Sequence, residues 1–243
     1  MNTRYAHTVG MLFAASLLSA CAVQPEAPDP AALQQAYQTA VKDAEQATPA
    51  EVSKNLTALV PSNPDLVWKD KDSRNRALLV ATWTNYDGYD QKISKSMRLS
   101  REVWVTAVPE VKKFCQQIRG DKNLRLEQLL GLPPNAGKTK FVEMWVKPAD
   151  LFRPSADPEI SDNQAEIDLR TPNEFVPVSS AHTQWFRDLK QHSYGAKGYP
   201  WTRLGYTYDW GNPGNKVGAS EFVIMKNAAI AVHAVTPTQA YCQ

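Results

Sequence analysis

The chain has 243 residues, enough to bury the core of one large domain. Its 27 Lys and Arg face 25 Asp and Glu, a formal net charge of +2, which leaves no electrostatic footprint for nucleic acid or another polyanion. Seven Trp, nine Tyr and seven Phe supply core-forming side chains, and a charged fraction of 21% excludes a largely disordered chain.

The first twenty residues follow the export pattern of a basic start at Arg4, an apolar run from Val9 to Leu18 and a small-residue cleavage site. The apolar run is about half of the roughly 20 residues that span a bilayer, so a cleaved signal is expected in place of a retained transmembrane anchor. Leu18-Ser19-Ala20-Cys21 closes the segment and resembles the lipobox of bacterial lipoproteins. The resemblance implies that Cys21 carries diacylglycerol, becomes the first residue of the mature protein and is acylated at its new amine. Three acyl chains, at about 0.8 kcal/mol per buried methylene, would hold the protein to membrane lipid. Ala22 in place of Asp after the cysteine implies, by the same resemblance, the outer membrane, with the domain facing the periplasm; the inner membrane and the cell surface are the alternatives. With Cys21 a thioether, Cys115 and Cys242 remain, and an oxidising compartment permits a disulfide between them, two separate buried thiols being the alternative.

Residues 21–30 contain Pro25, Pro28 and Pro30 and read as a semi-extended tether, reaching some 25 to 30 Å at about 3.1 Å per residue. Residues 31–243 read as a single α+β globular domain, with N-terminal helices followed by a mostly antiparallel sheet and packed helices. Asp29-Pro30 starts a helix whose apolar residues recur at helical spacing through Val41 and Ala44. Thr48-Pro49-Ala50-Glu51 is a capping box, which predicts a second helix through Val52, Leu56 and Leu59 until Pro61.

Leu66 to Trp68, Ala77 to Trp83, Arg101 to Val108 and Phe141 to Val146 carry the β-branched and aromatic content of strands. Short helices are predicted from Pro109 and over Leu124 to Leu130, where Gly131 and Pro133-Pro134 stop the chain. Residues 148–177 are proline-rich, acidic and irregular, a length that compact domains often reserve for function. A helix is predicted over Ser180 to His192, then strands at Leu204 to Trp210, Ser220 to Met225 and Ala228 to Val235. Strands following one another without helices imply antiparallel pairing.

Several constellations suggest chemistry. Gly131 to Thr139 imitates a phosphate-binding loop, but five residues separate its glycines where four are required, so a solvated turn is expected. Leu204, Tyr206, Tyr208 and Trp210 alternate on one strand face with Tyr199 and Trp201 just upstream, a pattern that serves either as core or as a stacking surface for a sugar or planar ligand. Packing is the first reading of such alternation, with the Trp210 ring expected to reach solvent beside the turn Gly211 to Asn215. Arg153, Trp201, Tyr208 and Trp210 are the candidate ligand-binding residues. Asp157, Glu159, Asp162 and Glu166 could offer oxygens to a hard cation, yet they lack the spacing of a calcium loop, and Arg153 is their natural partner. No metal or other cofactor is expected.

His182 beside Ser179 and Ser180 suggests a hydrolase in which it works with a carboxylate such as Glu143 or Asp157, provided these meet in space. The segment from Phe141 to Trp210, with Glu143-Met144-Trp145-Val146 and Gly198-Tyr199-Pro200-Trp201, resembles uncharacterised exported proteins of proteobacteria, which implies no activity. Two functions stand: an envelope lipoprotein whose domain is structural or binds a glycan, peptide or protein, and a periplasmic hydrolase built on His182. Cys21→Ser is expected to abolish lipidation and release the chain from membranes. Incorporation of a palmitate analogue into the serine variant would show the lipobox reading to be wrong.

Overall fold

A computed structural model of the chain describes Met1, residues 28–169 and residues 178–243. The export signal, Cys21 and most of the tether lie outside the described residues, as do residues 170–177 of the irregular segment. Helix α1 (Pro30–Ala44) begins where Asp29 accepts the amide of Ala31 at 3.0 Å, and it buries Tyr37, Ala40, Val41 and Ala44 along one stripe. The capping box then closes, the Thr48 amide and hydroxyl both donating to Glu51 at 2.8 Å, but only a three-residue 3-10 turn (Pro49–Glu51) follows. The expected second helix does not form. The amides of Leu56 and Leu59 are instead taken by the carbonyls of Asn163 and Ile160 at 2.9 and 2.7 Å. Their side chains enter two different apolar clusters, so tertiary pairing overrides the local helix signal.

Eight strands make one antiparallel sheet: β1 (Trp68–Lys69), β2 (Ala77–Thr84), β3 (Ser96–Arg98), β4 (Val103–Ala107), β5 (Lys140–Val146), β6 (Leu151–Phe152) and, after the two strands of a smaller sheet, β7 (Tyr206–Tyr208) and β8 (Val217–Ser220), strands β9 (Phe222–Ile224) and β10 (Ala229–Pro237). The order across the large sheet is β3-β10-β5-β2-β4-β9-β6, with β1 added beside β2. The domain is therefore α+β. The single strand expected from Ser220 to Met225 is divided at Glu221, where the chain leaves the small sheet for the large one. Strand β2 reads as an unbroken apolar run because both its faces are covered. Leu78 and Val80 join Val142, Met144, Ile230 and Val232 on one face, and Leu79, Ala81 and Trp83 join Phe141 on the other.

That second face carries the helices. Helices α2 (Glu110–Gln116), α3 (Lys122–Leu129) and α5 (Thr238–Tyr241) bury Val111, Cys115, Leu126, Leu129 and Tyr241 against β2 and β5, with Phe141 stacked between Trp83 and Tyr241. Helix α4 (Ser180–Ser193) lies further along the same face, with Trp185 against Trp104 of β4 and Phe152 of β6. Among the described residues no helix is long and apolar enough to cross a membrane.

Cys115 and Cys242 form a disulfide that ties α2 to the last turn of the chain across 127 residues. Closing so long a loop is worth up to about 5 kcal/mol in the chain-entropy model. An unreduced peptide map should recover the two cysteines in one linked species, and Cys115→Ala with Cys242→Ala should lower the unfolding free energy toward that limit. Recovery of both thiols in alkylatable form would contradict the bridge.

Candidate functional site

The two groups of helices leave a gap over β4. Strand β4 pairs with β2 through Ala81 and Thr106, and with β9 through Val105 and Phe222. Continuing the second register by one residue puts Glu221 opposite Thr106. Period-two alternation then sets Glu221, Thr106, Trp104, Ala81 and Trp83 on the helix-bearing face. The end of α3 (Leu130 to Leu132) walls one side, the Tyr199 to Trp201 segment and the end of α4 wall the other, and Tyr86 stands at the mouth. The half-open groove has a volume of about 1060 Å³, just above the range of about 300 to 1,000 Å³ usual for ligand sites.

Its rings differ in what they can do. Trp83, Phe141, Trp201 and Tyr208 are buried and form the walls, whereas Tyr86, Tyr199 and Trp104, also in the lining, are 56%, 53% and 38% exposed overall. Trp104 is not loose: its ring lies 6.5 Å from that of Trp185, whose indole nitrogen donates to Glu102 at 2.9 Å. The groove thus offers rigid aromatic surface to an incoming molecule.

Glu221 forms the inner end. It is buried, and one carboxylate oxygen has no hydrogen-bond partner among the described residues. The backbone on either side is fixed: the Glu221 amide donates to Gly205 at 3.0 Å, and the Ser220 amide donates to Glu110 at 2.8 Å. Burial pushes the Glu221 carboxyl up to about 8. Burial likewise lifts Glu110 to about 7, against hydrogen bonds from Ser220 and Thr57 that favour its ionised form. Tyr194, within electrostatic reach of Glu221, is pushed up to about 12 by burial, with Arg203 opposing.

The residues singled out from the sequence fall elsewhere or in the walls. His182 stacks on Trp185, and its Nε2 donates to the Ser155 carbonyl at 2.8 Å, while burial depresses its pKa with Ser155 and Asp157 opposing. Asp157 is close enough to act on that ring, but its Oδ1 accepts the Glu159 amide. Glu143 is on β5, beside the Tyr241 hydroxyl, and His182 packs on Phe152 of β6. Four strand spacings separate β5 from β6, roughly 19 Å, so these two are not brought together. Trp201 and Tyr208 line the groove as buried walls; Tyr208 donates to Asp43 of α1 at 2.8 Å. Trp210 does not reach solvent: it is buried edge-on against Tyr37, with its indole donating to Leu132.

Arg153 is wholly buried beneath the acidic loop, with Nε donating to the Glu159 carbonyl at 2.9 Å and Nη2 to the Asp162 carbonyl at 2.8 Å. Asp157, Glu159, Asp162 and Glu166 all act on it electrostatically, so the acids that might have served a cation surround a guanidinium. Among the described residues no cluster of three or more His, Cys, Asp or Glu is placed to hold a metal. In the false phosphate loop, the amides of Asn135 and Ala136 are taken by the Glu127 carboxylate at 3.0 and 2.7 Å.

Glu221, Trp104 and Tyr86 are the groove residues that sequence reading passes over. The one local signal is an acid interrupting the apolar run Phe222-Val223-Ile224 after Ala219-Ser220. Which face it takes depends on the register of β9 with β4, which no local pattern states.

The raised pKa of Glu221 has a consequence for stability. Above about pH 4.5 the unfolded chain gives up this proton and the folded chain keeps it, so stability falls as pH rises to about 8, with Glu110 contributing up to about 7. Glu221→Gln should melt with the unaltered protein near pH 4 and above it at about pH 9. A melting difference that does not change with pH would contradict the assignment. Compared with known proteins, the chain matches no family model, no curated protein and no solved structure.

Proposed function

We propose that this chain is an envelope lipoprotein, anchored through acylated Cys21 to the outer membrane, whose periplasm-facing domain binds an elongated partner in the groove over β4. The observation that carries the reading is the groove itself, with exposed Trp104, Tyr86 and Tyr199 along it and the buried carboxyl of Glu221 at its inner end. Large concave sites with aromatic walls and a few polar groups are the usual form of a binding site, and perturbed carboxyls concentrate in them. The near-neutral charge argues against nucleic acid as the partner. The tether gives the domain reach from the bilayer while the lipid keeps it local.

A photocrosslinking residue at position 199 in the full chain, irradiated in intact cells, should yield an adduct that is absent when the same residue replaces Lys71 in the exposed turn before β2. Ser100→Trp, at the exposed rim of the groove, should obstruct entry and abolish the position-199 adduct without lowering the melting temperature. Identical adducts from positions 199 and 71, or an adduct indifferent to Ser100→Trp, would sink the proposal.

A further inference from the structure

We infer that the ligand of this groove is a segment of uncharged glycan, stacked on Trp104 and Tyr199 and hydrogen-bonded at its inner end to the carboxyl of Glu221. The inference rests on the reading of the groove as a binding site and adds the chemistry of what it takes. Three observations carry it. The charges in the lining nearly cancel: Asp87 is paired with Lys140 beside it, which leaves Arg101 and Lys138 against Glu102 and Glu221. A polyanion or polycation therefore gains no net attraction on entering. The exposed faces are indole and phenol rings, which present flat apolar surface to the C–H face of a sugar while leaving its hydroxyls free.

The inner end supplies what those hydroxyls require. Thr106 and Glu221 face the groove together, and Thr207 is alongside. Thr207 is occupied, donating to the Leu129 carbonyl at 2.6 Å and accepting the Ala219 amide at 2.8 Å. Glu221 retains an oxygen with no partner among the described residues. A buried polar atom left in this state costs free energy that a ligand hydroxyl recovers by bonding to it. A purely apolar ligand such as an acyl chain would leave that group unmet. A protonated carboxyl can both donate and accept, as vicinal sugar hydroxyls do, so it recognises a neutral polyol without burying a charge.

The test titrates the full chain in detergent micelles, following tryptophan fluorescence. The probes are two neutral hexasaccharides, one of β-linked glucose and one of N-acetylglucosamine, with spermine and an oligogalacturonate as charged controls. At least one neutral hexasaccharide should saturate, and Trp104→Ala should weaken it by about five- to tenfold. Glu221→Gln keeps a donor and an acceptor and should bind within about twofold, whereas Glu221→Leu removes both and should lose about tenfold. Saturation by spermine alone, lost in Glu221→Gln, would overturn the glycan in favour of an ammonium ligand while keeping the groove. A neutral hexasaccharide whose affinity ignores both Trp104→Ala and Glu221→Leu would overturn the groove as the site. If neither neutral hexasaccharide saturates, the inference falls, and the position-199 adduct decides separately whether the groove binds anything.

Discussion

A guanidinium shut away from water must take its hydrogen bonds from the protein, and Arg153 imposes that condition on the middle of this fold through Nε and Nη2, its Nη1 having no partner among the described residues. It is the largest of the fully buried side chains among the described residues. Meeting its Nε and Nη2 draws the carbonyls of Glu159 and Asp162 inward and thereby folds the acidic loop over it. Its stem runs against Gly205, where an added Cβ would fall 2.6 Å from Cδ, and its head lies 5.4 Å from the Phe222 ring. Gly205 also has a positive φ of 74°, so two constraints require glycine there. Gly205 accepts the Glu221 amide and Phe222 follows Glu221 in the chain, so the residue at the inner end of the groove is held from both sides by the packing of one buried arginine.

The groove follows from how the sheet is covered. Antiparallel strands with two apolar faces need two layers above them, and the helical layer comes in two parts because its helices come from distant stretches of chain. One part is bound to β2 and β5 by the disulfide and by the stack of Trp83, Phe141 and Tyr241. The other is bound to the β4 and β6 side by Trp185. Between them one face of β4 is only partly covered, and its side chains there are Trp104 and Thr106 in place of aliphatic ones. Packing of this kind fixes the walls before a ligand arrives, which lowers the ordering cost of binding.

The N-terminal helix of the domain is joined to the same wall. In helix α1 the Tyr37 hydroxyl donates to the Gly198 carbonyl at 2.9 Å while Gln38 donates to the Ala196 carbonyl at 3.2 Å. At its other end the carbonyl of Glu45 accepts from Arg203 at 2.8 Å, a charged cap where the helix dipole favours one. Tyr208 and Trp210 pack beneath, and Arg125 of α3 clasps Asp209 through two hydrogen bonds at 2.8 and 2.6 Å. Helix α1 is thus braced against the Ala196 to Trp210 segment, which supplies one wall of the groove.

Local sequence was sufficient where local chemistry decides. Asp29-Pro30, the β-branched and aromatic content of β2, β4 and β5, and the spacing in α4 were legible because capping, residue content and periodicity are short-range properties. The expectation of a lipid anchor likewise rests on the string Leu18-Ser19-Ala20-Cys21 alone. The second N-terminal helix failed for the opposite reason: Leu56 and Leu59 satisfy their amides on Asn163 and Ile160 respectively, about a hundred residues away. The sequence offered two carboxylates for His182, yet strand order sets Glu143 four strands away and gives the histidine's nitrogen to a carbonyl. Trp104 and Glu221 stand 117 positions apart, and only the register of β4 with β9 sets them on one face of one groove. Sequence determined which segments become helix or strand and where polar groups would need partners. Tertiary structure alone decided which of those groups are buried together and which carboxyl is left with an oxygen to offer, because register and burial depend on contacts that no local window contains.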